Sequence, residues 1–442
     1  MNKFMRFPLL LGLVIGLVWS ISSCKKSSDI NPVADVRDSV YAVTQEIYLW
    51  NSSLPSLSSF NPTSYKDANS VMKQVRTFSP LVNGGNADRW SFALTKAAWD
   101  AYSAGSDSDI GLDYKFLTSS DLRVKFVYPS SPAGLAGVKR GWKVLTANGV
   151  QGTDSNTQSL NTELAKSTLN LAFEKPDGTR VALTLTAKTF TQDYILNQQV
   201  FTVNNKKVGY FVFDSFLGDN NGEATKTLLN TLFTYFKQQN ITDLIVDLRY
   251  NGGGYGVVSE HLANLIAPTS AIGKVFAKTE HNVAFTQYNE VTYFKAVANS
   301  LNLSTVTFIT TSGTASASEE LINGLRPVMN VKLIGGTTHG KPVGYYALPT
   351  MDYYTFPVAF RNMNSVGYSD FFAGFTPDKV QTDDVSHELG DPAELCLSTA
   401  LAYYRTGILA SIPSAARVDA SLEKASESLN KERLHLLIKP HK

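Results

Sequence analysis

The stretch ITDLIVDLRYNGGG, residues 241–254, constrains the fold more than any other part of the chain. Apolar side chains occupy consecutive positions in DLIVDL, so a strand here must be buried on both faces, and the glycines after it demand a tight turn. The surrounding segments repeat a strand-then-helix rhythm. KKVGYFVFDSF (206–216) reads as a strand, EATKTLLNTLFTYFKQQ (223–239) as an amphipathic helix and SEHLANLIA (259–267) as a second helix. TVTFITT (305–311), SEELINGL (318–325) and VKLIGG (331–336) then give strand, helix and strand. This alternation predicts an α/β domain with helices packed on a sheet over residues 191–410, closed by a helix in GDPAELCLSTALAYYRTG.

Two further regions precede it, as a chain of 442 residues would allow. Residues 35–104 predict an N-terminal helical segment, because Val36, Val40, Val43, Ile47 and Trp50 recur at helical spacing; DRWSF (88–92) within it reads as a packing or docking corner. From residue 105 to 190 the period changes to two. LRVKFVY alternates, and TLNLAFEKPDGTRVALTLTAK reads as two strands about a Pro176-Asp177-Gly178 turn, so this region predicts a compact β-rich domain. Residues 411–442, rich in Ala, Ser, Lys and Glu, predict a helical or partly disordered tail without assigned chemistry.

The first residues form a separate signal. Lys3 and Arg6 precede an apolar run from Leu9 to Trp19, too short to span a bilayer comfortably, and ISSC follows. Residues 1–23 therefore predict a secretory signal peptide and 24–34 a polar linker. The Ser22-Ser23-Cys24 end resembles a bacterial lipobox, which implies cleavage before Cys24, lipidation there, and a lipid-anchored protein of the bacterial cell envelope. An ordinary signal cleaved near Ser23 is the alternative. Cys396 is the only other cysteine, so acylation of Cys24 leaves no intrachain disulfide. The net charge of +2 gives no reason to expect nucleic acid. No histidine cluster has zinc-ligand spacing, and GDNNGE (218–223) reads as a helix cap rather than a calcium loop, so neither metal nor cofactor is expected.

The segment TSGTASASEE (311–320) places small residues where a strand ends and a helix begins. A serine there is projected from the sheet beside unsatisfied helix-terminal amides, an arrangement suited to acyl transfer. The amide after the serine can stabilise an oxyanion, and a glycine turn such as NGGG (251–254) can add a second donor. The serine needs a base. In GGTTHGKPVG, Lys341 qualifies if burial lowers its pKa, because desolvation disfavours the ammonium form. Ser318 as nucleophile and His339 as base remain open readings.

VDLRYNGGG, GTASASEE and THGKPVG together resemble the serine-lysine C-terminal processing, or tail-specific, proteases, in which the lysine follows the serine by 25 residues, as Lys341 follows Ser316. The resemblance implies a crotonase/ClpP-like mixed sheet with helices for the catalytic domain. It implies Ser316 as nucleophile, Lys341 as general base, Ala317 and Gly253 amides as the oxyanion hole, and Glu319 and Thr338 as supporting residues. Pro342 and Tyr345 stand where many relatives have glycine and glutamine, and Pro327 where aspartate is common; Tyr345, Thr338 and His339 are the candidates for a third member. SPAGLAGVKRGWKVLTANGV (131–150) resembles bacterial PDZ domains, with Ile110, Gly111 and Leu112 as the counterpart of their carboxylate-binding loop. A PDZ-like edge strand would take an extended peptide by backbone pairing and hold its C-terminal carboxylate. The implied activity is an endopeptidase for extended or unfolded protein substrates engaged through their C-termini; the alternative is a noncatalytic peptide-binding protein of the same fold.

Overall fold

A computed structural model of the protein describes residues 35–409, 420–430 and 434–439. The expected signal peptide, Cys24 and the 24–34 linker lie outside the described residues. Among the described residues, no helix is long and apolar enough to cross a membrane.

The central sheet runs Ile195–Val203, Lys206–Phe213, Asp243–Asp247, Thr305–Thr310, Asn330–Gly335 and Lys379–Val380, in that spatial order. The first pair is antiparallel and the later pairs are parallel. Period-two geometry explains the continuous apolar runs. Phe211, Phe213, Leu244 and Val246 enter the core shared with helices Asp219–Gln238, Gly256–Ile266 and Ala317–Leu325. Tyr210, Val212, Ile245 and Ile309 face the opposite way, under Cys396, Leu397 and Ala400 of helix Leu395–Thr406.

A second sheet is ordered Gly253–Tyr255, Leu436–Ile438, Val343–Tyr345, Val358–Met363, Val275–His281 and Glu290–Tyr293. Its second strand lies in the segment expected to be a helical or partly disordered tail. Leu436, Leu437 and Ile438 are buried and pair in parallel with Gly253, Gly254 and Tyr255. The helix Ala420–Ser428 precedes that strand.

The β-rich region forms a sheet ordered Arg180–Thr186, Thr168–Glu174, Lys143–Ala147, Asp121–Val127 and Leu112–Thr118, around its own core of Leu122, Val124, Leu160, Leu171 and Phe173. Leu112–Thr118 stands at one edge.

The N-terminal segment differs from the expected helical domain. It contains helices Val36–Ile47, Ala68–Arg76 and Lys96–Ser103. Its strand Phe92–Thr95, however, pairs with Tyr353–Phe356, and Val40, Tyr41, Val71 and Phe92 join the same apolar core as the central sheet. Its own contacts, such as the stacked Tyr41 and Phe60 rings, run on into the core of the larger domain.

Candidate active site

Ser316 caps the helix Ala317–Leu325, just after the strand Thr305–Thr310, and is fully buried. Its backbone has φ 64° and ψ −108°. A side-chain-bearing residue rarely adopts that conformation, which costs ~1–3 kcal/mol and persists only where the surroundings enforce it.

Glu319 enforces it. Its Oε2 accepts hydrogen bonds from the Ser316 amide at 2.8 Å and the Lys341 amide at 2.9 Å. Its Oε1 accepts from Thr338 Oγ1 at 2.6 Å and the Gly340 amide at 2.7 Å. One buried carboxylate thus ties the serine turn to the lysine loop. Burial raises its pKa, while the bonds from Thr338, Ser316, Lys341 and Gly340 pull the other way.

Lys341 Nζ lies 3.2 Å from Ser316 Oγ and donates to the His435 carbonyl at 2.7 Å. Burial drives its pKa well below the ordinary lysine value, against the attraction of Asp88 and Glu319. The amine sits 3.7 Å from the centroid of the Tyr345 ring. That ring face favours the ammonium that forms when the lysine takes a proton. Tyr345 contributes only its ring, because its hydroxyl donates to the Trp90 carbonyl at 3.1 Å.

The alternative assignments are placed elsewhere. Ser318 Oγ donates to the Asn251 carbonyl at 3.1 Å, which turns it toward the glycine turn. His339 Nε2 accepts from Trp90 Nε1 at 3.0 Å, so its proton-accepting nitrogen is already engaged. Burial, with the nearby Arg89 and Lys341 charges, lowers its pKa to about 4. Thr338 is committed to Glu319.

The two amides expected to serve as oxyanion donors are placed differently. The Ala317 amide begins the helix beside Ser316. The Gly253 amide donates instead to Asn251 Oδ1 at 2.8 Å. What Gly253 provides is clearance: at φ 102°, a Cβ there would stand 2.1 Å from the Leu436 carbonyl oxygen and 3.0 Å from the Ala317 nitrogen.

The expected carboxylate-binding loop lies next to this turn. Gly111 and Leu112 line a small cavity with Gly252, Gly253 and Leu434. Ile110 is buried, and its carbonyl accepts from the Ala133 amide. The Gly111 amide donates to the Asp109 carboxylate at 2.5 Å, so a ligand carboxylate would have to displace that side chain.

Residues 207–380 match the peptidase family S41 model. The chain is 26% identical over 263 residues to the carboxy-terminal processing protease CtpB of Bacillus subtilis, covering 57% of this chain and 50% of that protein. It is 25% identical over 321 residues to the carboxyl-terminal-processing protease of Synechocystis, covering 69% of this chain and 70% of that one. The chain thus spans about half the length of the first of these relatives. A solved structure assigned to the S41 proteases, from Bacteroides fragilis, has a TM-score of 0.66 at 23% identity, covering 87% of this chain and 99% of the other. That likeness is one of fold.

Several residues around this site were not singled out in the sequence. Arg249 is fully buried and binds Asp247, Asp383 and Glu394, fixing the strand end that leads to the glycine turn. Asp383 also accepts from Arg140 Nη2 and Tyr250 Oη, each at 2.8 Å, so it links the β-rich sheet to that turn. Lys115, Arg140 and Arg249 together hold its carboxyl well below the usual range, against desolvation. Arg89, within DRWSF, donates to the Gly340 carbonyl at 3.1 Å and supports the lysine loop from the N-terminal segment.

Proposed function

We propose that the protein is a serine endopeptidase in which Ser316 is the nucleophile and Lys341 the general base. The 3.2 Å approach of Lys341 Nζ to Ser316 Oγ, in a site where burial favours the neutral amine, carries this reading. The neutral amine takes the Ser316 proton as Oγ bonds to the substrate carbonyl carbon, and the negative charge collects on the carbonyl oxygen near the Ala317 amide. Lys341 then returns the proton to the leaving amine as the peptide C–N bond breaks. Water, losing a proton to Lys341, attacks the acyl carbon; the acyl C–Oγ bond breaks, Lys341 returns the proton to Ser316 Oγ, and the acid is released.

The substrates on this reading are extended or unfolded proteins, engaged near their C-termini by the β-rich domain acting as a PDZ module. Its edge strand and the loop at Ile110, Gly111 and Leu112 are suited to backbone pairing and end recognition. The Ser22-Ser23-Cys24 sequence supports a lipid anchor on the cell envelope. A second reading, peptide binding without turnover, draws on the Gly253 amide, which is committed to Asn251.

Cleavage of unstructured peptides with apolar C-termini separates the readings. Turnover should disappear in Ser316→Ala and Lys341→Ala and survive in part in His339→Ala. Binding without turnover by the unaltered protein would favour the second reading, and unchanged cleavage by Ser316→Ala would remove Ser316 from its role. Cys24→Ser should move the protein from the membrane to the soluble fraction.

A further inference from the structure

The occupant of the cleft is the chain itself. The Leu436 amide donates to the Gly252 carbonyl at 2.8 Å, and the Lys439 amide to the Tyr345 carbonyl at 3.2 Å. The His435 carbonyl receives the catalytic amine, and its ring lies against His339 with centroids 3.8 Å apart. The segment 434–439 therefore runs as an added strand between the glycine turn and the lysine loop. At its end, Lys439 lines a cavity of about 300 Å³ together with Glu260, Glu290 and Glu320, and its Nζ lies 3.7 Å from the Glu290 carboxylate.

The same segment closes the edge of the β-rich sheet. Strand Leu112–Thr118 directs the Tyr114 amide to Asn430 Oδ1 at 2.6 Å and the Phe116 amide to Ser426 Oγ at 2.9 Å. Asn430 Nδ2 donates back to the Tyr114 carbonyl at 2.9 Å. Leu429 is buried in that sheet's core, with Leu422 and Ala425 packed against it. These are the backbone groups that an incoming peptide strand would use. Two separated stretches of one terminal segment thus fill the two places where a client would bind.

We propose that residues 420–430 and 434–439 are a tethered, uncleaved competitor of the substrate. The first stretch caps the recognition edge and the second lies in the catalytic cleft, so the enzyme rests closed until a client displaces both. This rests on the peptidase reading above. The seated sequence also describes the favoured client: an extended apolar stretch followed by a basic residue that meets the acidic cavity wall.

The test compares the full chain, a chain ending at Asp419, and the double variant Ser426→Ala/Asn430→Ala. It reads labelling of Ser316 by a fluorophosphonate probe and hydrolysis of a quenched unstructured peptide. A tethered segment at about millimolar effective concentration, with intrinsic affinity of ~0.1 mM, slows both about tenfold in the full chain. The truncated chain should therefore react about tenfold faster, with the double variant between them, and the free peptide LHLLIKPHK should restore inhibition to either variant. Equal rates in all three proteins, with no effect of the peptide, would overturn the proposal; the double variant and the peptide decide the matter if the truncated chain does not fold. Loss of the tail from the full chain, detected by intact mass and absent in Ser316→Ala, would make the segment a substrate and also overturn it. Folded variants whose Ser316 never labels would instead bring down the peptidase reading, and the competitor with it.

Discussion

Glu319→Gln isolates the contact that joins the two halves of the site. Glu319 accepts four hydrogen bonds, from the Ser316, Gly340 and Lys341 amides and the Thr338 hydroxyl. Glutamine has nearly the same shape, but one of its two terminal atoms is a donor. If that NH₂ replaces Oε2, it faces the Ser316 and Lys341 amides. If it replaces Oε1, it faces the Gly340 amide and a Thr338 hydroxyl that already accepts from the Phe375 amide at 2.8 Å. Either orientation loses two bonds in a fully buried site. At ~1–3 kcal/mol for each stranded buried group, the loss is about 2–6 kcal/mol of stability. In the first orientation Ser316 loses the bond that holds its unfavourable φ, in the second the lysine loop loses its tie at Gly340, and a displacement of ~1 Å between reacting groups costs about a hundredfold in rate. Thermal unfolding and steady-state peptide hydrolysis should show a lowered Tm and a kcat reduced about a hundredfold, with KM nearly unchanged. A variant with unaltered Tm and kcat would refute the role assigned to this carboxylate.

Other expectations concern charge and strain. Only neutral Lys341 can take the serine proton, so kcat/KM should rise with pH and level off well below the ordinary lysine pKa of 10.5; His339→Gln should keep that profile, since its ring is neutral above about pH 4. Asp383 has a depressed folded pKa, so its stabilisation is fully present above its ordinary value of 3.8 and fades as pH falls through the folded pKa. Asp383→Asn should cost about 3–5 kcal/mol near neutrality by stranding buried guanidinium groups, and should flatten this part of the acid limb in Tm measured against pH. Ser316→Gly and Ser316→Ala should both be inactive, but chemical denaturation should find the glycine variant more stable by about 1 kcal/mol, because glycine accepts the positive φ.

What could be read from the sequence was local. The strand running into NGGG, the serine at a helix start and the lysine loop are contiguous patterns, and their elements occur where those patterns place them. Glu319 and Thr338 were legible because they sit within the same short motifs. The strand Leu436–Ile438 was not. Five residues, LHLLI, carry a weak strand signal inside a polar segment, and their partner Gly253–Tyr255 is distant in sequence and nearly featureless. The Trp90 bond to His339 and the Asp383 cluster were hidden for the same reason, since each joins side chains more than a hundred positions apart. The N-terminal segment misled in another way: helical periodicity reveals an apolar face but not what covers it.

The two side chains on the Leu112–Thr118 edge have a consequence for the protein in bulk. An open edge strand offers its unpaired amides and carbonyls to any passing chain, including another molecule of the same protein, and growth by strand addition is a route to aggregation. Ser426 and Asn430 satisfy those groups with side chains, which cannot propagate a sheet. Shortening the C-terminus should therefore make concentrated solutions prone to self-association, visible by light scattering as growth that rises steeply with protein concentration.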